Sequence, residues 1–542
     1  MKRSGKIVLG VVGALALLGV VAVILVVTFD WNRAKPWVAE TVGHAIGRSI
    51  AIDGDLRVSW QRDPELRGWR AWLPGPRVSA SGVTVGNTDW AKQREFATLE
   101  SVELDLAVFP LLMHTLSIPS LRFVAPNVDL ERLADGRDNW TFTTGGPSRW
   151  KFDPGRILFD RGQFSLSDHL RGTELKVHVD ALEKSIPFDD LVVQQEDASR
   201  RDAAAHVGAS AAKKFRERAQ KRTQPLQHSR ELPQQYAFSW SAQGTFHGAA
   251  LKGTGRIGSV LALKHAERPF PLQADVRIGE TRITLIGTLT DPTDLDALDL
   301  RLWLSGSSLA QLYDILHIPL PDSRPYVTEG HLIGRFAADE KRLRYENFTA
   351  RVGESDLNGD LVYETRKPRP LLSGKVQSEL LQFRDLALMI GADTSESKPV
   401  RGGASPQPTG KVLPTKPFRP ERWRVMDTDV QFTGDRVFRD SELPIHKVDA
   451  RIVMDDAVLS LKPLRFRYAY GDVNAAMRFD GQNAPIKSTL QLSARGVQLK
   501  YLFPSAEAMK TSLGEANGEA NLSVPVVPSA RCSARRTAKS RC

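Results

Sequence analysis

The fold class is indicated most clearly by residues 298–304, which have the sequence LDLRLWL. Leucine occupies every second position, and Asp299, Arg301 and Trp303 stand between the leucines. Successive side chains of a β-strand point to opposite faces, so this stretch predicts a strand with one apolar and one mostly polar face.

The same period of two recurs along the chain after about residue 50, and long amphipathic helical patterns are nearly absent. Short runs bounded by Gly, Asp, Asn and Pro indicate meandering antiparallel strands, so we predict a mainly β fold. The positions that we expect on one apolar face are Val102, Leu104, Leu106, Val108, Leu298, Leu300, Leu302, Leu304, Leu464, Phe466 and Tyr468.

A longer unit of strands followed by a short apolar helical segment recurs over residues 283–319, 357–391 and 472–504. Its predicted helical segments are 307–313, 378–386 and 496–502. Repetition on this scale predicts an elongated, curved sheet in which each unit buries a face against its neighbours. Coincidental similarity between β meanders is the alternative.

The amino terminus predicts the compartment. Residues 7–29 are apolar except for Gly and Thr28, and about 23 residues at 1.5 Å each reach roughly 35 Å, enough to cross a bilayer. Positive charges precede this segment, so we expect a cytoplasmic amino terminus and an exported body. A cleaved signal peptide is the alternative, but no small-x-small cleavage pattern follows. The residues expected at the outer membrane interface are Trp31, Arg33, Lys35 and Trp37.

Charge and cysteine content exclude several classes of protein. The two cysteines, Cys532 and Cys542, lie at the carboxy terminus, which excludes a disulfide scaffold or a cysteine-based metal site in the body. The net charge of +11 is concentrated in the amino terminus, in residues 195–230 and in the tail, so the remainder is nearly neutral. Nucleic-acid binding requires a basic folded face, and we therefore expect no nucleic acid partner.

Two segments interrupt the β pattern. Residues 191–235 form a charged insert whose middle, 202–222, we predict to be a solvated helix; a helix lying on the membrane is the alternative. Residues 391–420 are rich in Gly, Ser, Thr, Pro and Lys and predict a flexible linker. For the atypical basic tail, 524–542, a frameshifted or truncated end and a functional basic tail both stay open.

No catalytic motif emerges from the sequence. Residues 253–258 match GxGxxG, but their neighbours have strand patterns, whereas a dinucleotide site requires a strand followed by a helix. The sequence contains no GxxxxGK[ST], HExxH or GxSxG motif. We therefore predict a protein that is not an enzyme and that has no cofactor and no metal site.

The residues that follow the apolar segment resemble the amino-terminal region of AsmA-like proteins of Gram-negative inner membranes. They are Asp30-Trp31-Asn32, Lys35-Pro36, Gly47-Arg48, Ile50, Ile52, Gly54-Asp55-Leu56 and residues 83–87. Residues 325–330, 358–361 and 373–376 fit the weaker pattern of the family's body, and the resemblance covers residues 1–523.

The resemblance implies an inner-membrane anchor and a long, curved periplasmic β-sheet similar to that of bridge-like lipid-transfer proteins. It also implies a role in phospholipid movement and outer-membrane assembly, without catalytic residues. The expected domains are a basic cytoplasmic segment (1–6), an anchor (7–29), an AsmA-like β domain (30–190), the insert (191–235), β repeats (236–390), the linker (391–420), a last β repeat (421–523) and the tail (524–542).

We therefore expect the apolar side chains to line a groove that holds phospholipid acyl chains. The expected partners are the inner membrane, phospholipid and an outer-membrane or periplasmic protein. Two alternatives stay open: the same side chains close a dry sandwich core, or the protein affects outer-membrane protein assembly without binding lipid.

Overall fold

The computed structural model describes residues 29–61, 75–107, 110, 115–142, 151–222, 235–258, 261–262, 270–290, 297–316, 320, 323–336, 341–382, 385, 423–438, 445–483, 486–502 and 514–526. Most of the predicted anchor (7–28), Val108, the predicted linker (391–420) and residues 527–542 of the tail lie outside these residues. Within the described part of the chain, none of the helices combines the length and apolar character that a membrane span requires.

The chain forms two compact units, and the described residues are mainly β, as predicted. Unit 1 comprises Met1–Ser185 and Tyr236–Phe270, and unit 2 comprises Ile186–Gln235 and Pro271–Cys542. The elements of unit 1 are η1 (Trp31–Ala34), α1 (Lys35–Ile46), β1 (Ile50–Ile52), β2 (Leu56–Gln61), β3 (Gly75–Gly86), β4 (Glu95–Asp105), β5 (Thr115–Val124), β6 (Asn127–Arg132), β7 (Lys151–Phe159), β8 (Gly162–Asp168), β9 (Thr173–Pro187), β10 (Gln235–Phe246), β11 (Ala249–Gly258) and β12 (Leu261–Ala262).

Unit 2 begins with two helices and continues with strands. Its elements are α2 (Phe188–Val207), α3 (Ala209–Arg222), β13 (Phe270–Ile278), β14 (Thr281–Thr290), β15 (Ala297–Gly306), η2 (Leu309–Leu312), α4 (Tyr313–Leu316), β16 (Tyr326–Phe336), β17 (Lys341–Val352), β18 (Ser355–Glu364), β19 (Leu371–Gln382), β20 (Asp427–Phe438), β21 (Ile445–Asp455), β22 (Val458–Tyr468), β23 (Gly471–Asp480), β24 (Ile486–Gln498), α5 (Leu499–Leu502) and β25 (Glu515–Val526).

Each unit contains an open sheet whose pairs are mostly antiparallel, but three parallel pairs depart from the prediction. In unit 2 the strands from β14 to β25 pair in sequence order, and β19 pairs with β20 in parallel. In unit 1, β5 pairs with β7 and β6 with β8 in parallel. A parallel pair needs a crossover connection, and the long segment between Gln382 and Asp427 supplies one for β19 and β20.

The helices differ from the sequence prediction in three places. The predicted helix over 496–502 is wrong for residues 496–498, which belong to β24, and only Leu499–Leu502 are helical. The predicted helix over 202–222 is the end of α2 and all of α3, separated at Gly208, whose φ of 82° is in the region that favours glycine. The predicted helix over 378–386 is wrong for residues 378–382, which belong to β19. Their pairing with β20 continues to Gln382, so the sheet overrides the local helical pattern.

Candidate functional site

The backbone register places the leucines of β15 on one face of the unit-2 sheet. Leu300 is paired with Leu332 of β16, and Leu302 is paired with Leu285 of β14. Residues paired across antiparallel strands lie on the same side of the sheet. Leu298, Leu300, Leu302 and Leu304 therefore share the side that we call the apolar face.

A single row of paired residues extends this apolar face across unit 2. Each member is the direct pairing partner of the next, from β15 to β25. The row consists of Leu300, Leu332, Tyr345, Leu361, Gly374, Val430, Ile452, Leu461, Met477, Leu490 and Leu522. It remains free of charged residues over eleven consecutive strands, and we call it the apolar row.

The predicted residues of β22 join the same face. Leu464 is paired with Ala450 of β21 and with Ala475 of β23, and Phe466 is paired with Val473. Tyr468, two positions further, lies opposite Gly471 at the end of the strand. The register thus brings the β15 and β22 positions to one side of the sheet, while their contact with lipid stays a prediction.

Unit 1 has its own apolar face, which contains the predicted residues of β4. Val102 is paired with Ala80 of β3 and Phe123 of β5, and Leu104 with Val78 and Leu121. Val102 packs against a cluster around the buried Val83, Ala97 and Leu99. Leu106 follows the end of β4 and is half-buried.

The apolar face of unit 2 is partly accessible where the strands β20 to β24 form it. The side chains of Val430, Ile452, Leu461 and Leu490 are half-buried, whereas interior residues such as Ile286 are fully buried. The partial exposure leaves room for a hydrophobic ligand to bury more apolar surface.

Short helices pack against one end of this face. Leu312 of η2 is 3 % exposed and clusters with Leu304, Tyr326 and Val352, which lie at the ends of β15, β16 and β17. In α5, Tyr501 packs against a cluster of Ala469, Val473 and Val497. The strand ends that carry η2 and α5 therefore have local hydrophobic cores, which seal this edge of the face.

The opposite face of the sheet is polar and is covered over β14 to β17 by α2 and α3. Arg200 of α2 forms a bidentate ion pair with Glu329 of β16, with N–O distances of 3.0 and 2.7 Å, and both side chains are buried. Glu196 pairs with Arg301 of β15 and also contacts Arg200. Burial lowers the pKa of the Arg301 guanidinium, and the Glu329 carboxylate offsets part of this effect.

Apolar contacts complete this helix–sheet interface. Phe215 of α3, Ala203 of α2 and Val327 of β16 form a buried cluster with Ala212. Two cavities between the helices and the sheet have volumes of about 20 Å³ each, room for about one water molecule and too little for an acyl chain. The polar face is therefore sealed where the helices cover it, and the apolar face is the candidate site.

The sequence did not predict that the helices of this insert pack against the sheet. The predicted solvated helix instead buries one side of each of its two helices. The buried positions of α3 are Ala211, Ala212, Phe215 and Ala219, and three of these four are alanines, which give only a weak hydropathy signal. The i, i+4 spacing of Glu196 and Arg200 was a visible signal, but their partners are about a hundred residues or more away.

A second buried polar network joins two stretches of unit 1. Arg48 donates from Nη2 to the carbonyl oxygen of Asn139 at 2.8 Å, and its guanidinium lies 5.5 Å from the centroid of the Phe142 ring. Asn139 donates to Asn87 Oδ1 and to the carbonyl oxygen of Asp129. Burial lowers the pKa of Arg48. Asn139 thus connects Arg48, which follows α1, to β6 and to the residue after β3.

The structure also shows where the GxGxxG match lies and how the potential metal ligands are arranged. Residues 253–258 lie inside β11, which pairs with β10, so the GxGxxG match is part of a hairpin strand and not of a turn between a strand and a helix. Among the residues that the structure describes, no group of three or more His, Cys, Asp or Glu side chains is arranged to hold a metal ion.

Comparison with known proteins identifies a family and a relative. The sequence model described as the AsmA family matches residues 1–524. The chain belongs to the AsmA family. It is also 37 % identical over 539 residues to AsmA family protein YhjG of Escherichia coli (strain K12), which covers 96 % of this chain and 74 % of YhjG. No solved structure matches the chain.

In this AsmA-family chain the predicted membrane-interface residues lie in η1 and at the start of α1. Trp37 is 68 % exposed, and Trp31 contacts Phe29 edge-on at 5.2 Å. Arg33 is exposed and lies 3.7 Å from Asp30, and Lys35 begins α1. An exposed tryptophan is available for a membrane surface, and its role at the membrane interface stays a prediction.

Proposed function

We propose that this protein is anchored in the inner membrane with its amino terminus in the cytoplasm and its β units in the periplasm. There it holds phospholipid acyl chains on the apolar face and supports the lipid supply and assembly of the outer membrane. It acts without catalysis, by providing an apolar path. AsmA-family membership and the open sheets support this proposal.

The single observation that carries the proposal is the apolar row. Neighbouring strands lie about 4.8 Å apart, so the eleven strands of the row span about 50 Å. Each methylene that leaves water for an apolar surface contributes about 0.8 kcal/mol. From β16 to β25 the members of the row are half-buried or exposed and can bury more apolar surface against a ligand, whereas Leu300 is already only 4 % exposed. No position along the row introduces a charge.

Lipid analysis of the purified full chain tests the proposal. Protein extracted under mild conditions is expected to carry phospholipid that mass spectrometry identifies after organic extraction. Phe432→Asp, which places a charge on the apolar face of β20, is expected to reduce the bound phospholipid several-fold, since a buried charge is costly.

Gln431→Asp is the matched control, because Gln431 is exposed on the polar face of the same strand. The two variants carry the same new charge at adjacent positions. Equal lipid content in both variants and the parent protein, or no phospholipid in any of them, would contradict the proposal. Crosslinks to a protein partner without any acyl chain would favour the alternative role in outer-membrane protein assembly.

A further inference from the structure

Helix α3 is amphipathic, and its outward side is strongly basic. The positions that face the sheet are Ala211, Ala212, Phe215 and Ala219, and they are buried. The exposed cations are Lys213, Lys214, Arg216 and Lys221, which we call the cationic ridge. At 100° per residue these four lie within an arc of about 160°. Glu217 is the one acidic residue of α3 in the same arc.

The orientation of the ridge is fixed by the contacts on the other side of the helix. Phe215 is buried in the cluster with Val327 of the sheet. Arg218, at the border of the ridge, pairs with Asp356 of β18 and with Glu379 of β19. The helix therefore cannot turn its apolar side outward without losing both contacts, and the cations are held toward the solvent.

The composition of the ridge indicates the kind of partner. Specific protein interfaces have aromatic or apolar anchors at their centre and are depleted of lysine. The ridge is mostly lysine, and the one apolar side chain in the exposed arc is the single methyl group of Ala209. A membrane surface of anionic headgroups attracts a basic protein surface by charge alone, without an apolar anchor. On α2 the exposed acids Asp189, Asp190 and Asp197 outnumber the one exposed cation, Arg201, so the basic surface is centred on α3.

We propose that the cationic ridge docks onto a bilayer that contains anionic phospholipid. This contact is electrostatic, because the apolar side of α3 is committed to the sheet and does not insert into the lipid. It goes beyond acyl-chain binding, since it uses the helix-covered side of unit 2 and not the apolar face. Docking would hold unit 2 against a membrane surface independently of the predicted anchor.

Vesicle binding by the full chain tests this proposal. The protein is placed in nanodiscs of phosphatidylcholine and mixed with sucrose-loaded vesicles. One set of vesicles is phosphatidylcholine alone, and the other has equal parts of phosphatidylcholine and phosphatidylglycerol. Co-sedimentation is expected only with the anionic vesicles, and it should weaken as salt is raised from about 0.1 M toward 1 M, where the Debye length falls to about 3 Å.

Two substitution sets make the test specific. Neutralising the ridge with Lys213→Gln, Lys214→Gln, Arg216→Gln and Lys221→Gln should weaken binding at low salt by about three orders of magnitude. The matched control neutralises four exposed lysines on strands, with Lys176→Gln, Lys184→Gln, Lys252→Gln and Lys375→Gln, and should retain most of the binding. Glu217→Gln removes the acid from the ridge and should strengthen binding several-fold.

The outcomes separate this proposal from the acyl-chain proposal. Equal weakening by both quadruple sets, or equal binding to neutral and anionic vesicles, would overturn the docking role of the ridge. Stronger binding to soluble polyaspartate than to anionic vesicles would assign the ridge to an acidic protein and would also overturn it. Phospholipid retained by the purified ridge variant should be unchanged, because the ridge lies on α3 and not on the apolar face.

Discussion

Arg200 and Glu329 are 129 residues apart in the sequence, yet their side chains form a bidentate, buried ion pair. The pair joins α2 to the polar face of β16. Both charges of a buried pair lose their hydration on folding, and each compensates the other. Removal of one partner therefore leaves a buried charge without this compensation. The insert is thus part of the folded structure of unit 2.

Removal of one partner is expected to loosen α2. Glu329→Gln removes the bidentate carboxylate and leaves Arg200 with the contact to Glu196, so the cost is expected to stay below the roughly 3 to 5 kcal/mol of an uncompensated buried charge. Hydrogen exchange of the α2 amides should accelerate accordingly. Asp429→Asn breaks the exposed pair with Arg451 and is the control, because such pairs contribute about 1 kcal/mol or less. Equal protection of α2 in the parent and in Glu329→Gln would contradict this account.

Asp385 is expected to make the loop between β17 and β18 sensitive to pH. Burial raises the pKa of Asp385, although hydrogen bonds from Ser355 and Glu354 and the charge of Arg324 oppose the shift. Because the folded pKa is higher than the unfolded value, the folded state binds the proton more tightly. Stability is therefore expected to increase as the pH falls through the raised pKa and to decrease as the pH rises through it.

Two substitutions of Asp385 separate its charge from its hydrogen bonds. Asp385→Asn retains an acceptor for the amides of Glu354 and Ser355, so it should keep the fold and remove the pH dependence. Asp385→Ala leaves those donors without their acceptor and should cost about 1 to 3 kcal/mol for each buried group. Hydrogen exchange of residues 353–355 as a function of pH measures both effects. An unchanged pH profile in Asp385→Asn would refute the assignment.

Leu312 is expected to stabilise the closed edge of the apolar face. Leu312→Ala removes a buried side chain from the cluster with Leu304, Tyr326 and Val352, at a cost of about 2 to 5 kcal/mol. Leu522→Ala is the control, because Leu522 is 54 % exposed and its truncation should change stability by about 0.5 kcal/mol or less. Chemical unfolding and the hydrogen exchange of β15 to β17 measure the stability of the two variants. Similar losses of stability in both would contradict the role of Leu312.

Much of the fold follows from local pattern. The alternation in 298–304 predicted both the strand β15 and the shared side of its leucines, because a period of two is a direct property of extended backbone. The parallel pairing of β19 with β20 was not predictable in this way. Alternation is identical in parallel and antiparallel strands, and the choice depends on a connection that has no regular pattern of its own.

The candidate site was predictable in part. The positions on β4, β15 and β22 were identified from alternation, but Val430 and Leu490 were not, although each is paired into the apolar row. Sequence alone also left the choice between a sealed core and an accessible face open. That choice depends on where the helices pack, and α2 and α3 pack on the polar face through pairs such as Arg200 with Glu329.

Photocrosslinking along β24 tests the central claim most directly. A photoreactive amino acid is placed singly at Leu490, Gln491, Leu492, Ser493 and Ala494 of the full chain in native membranes, and crosslinked phospholipid is measured. Lipid should be captured most strongly at Leu490, less at Leu492 and Ala494, which lie on the apolar face but pack against the cluster next to α5, and not at Gln491 or Ser493. Equal capture at all five positions, or capture at none, would contradict the account.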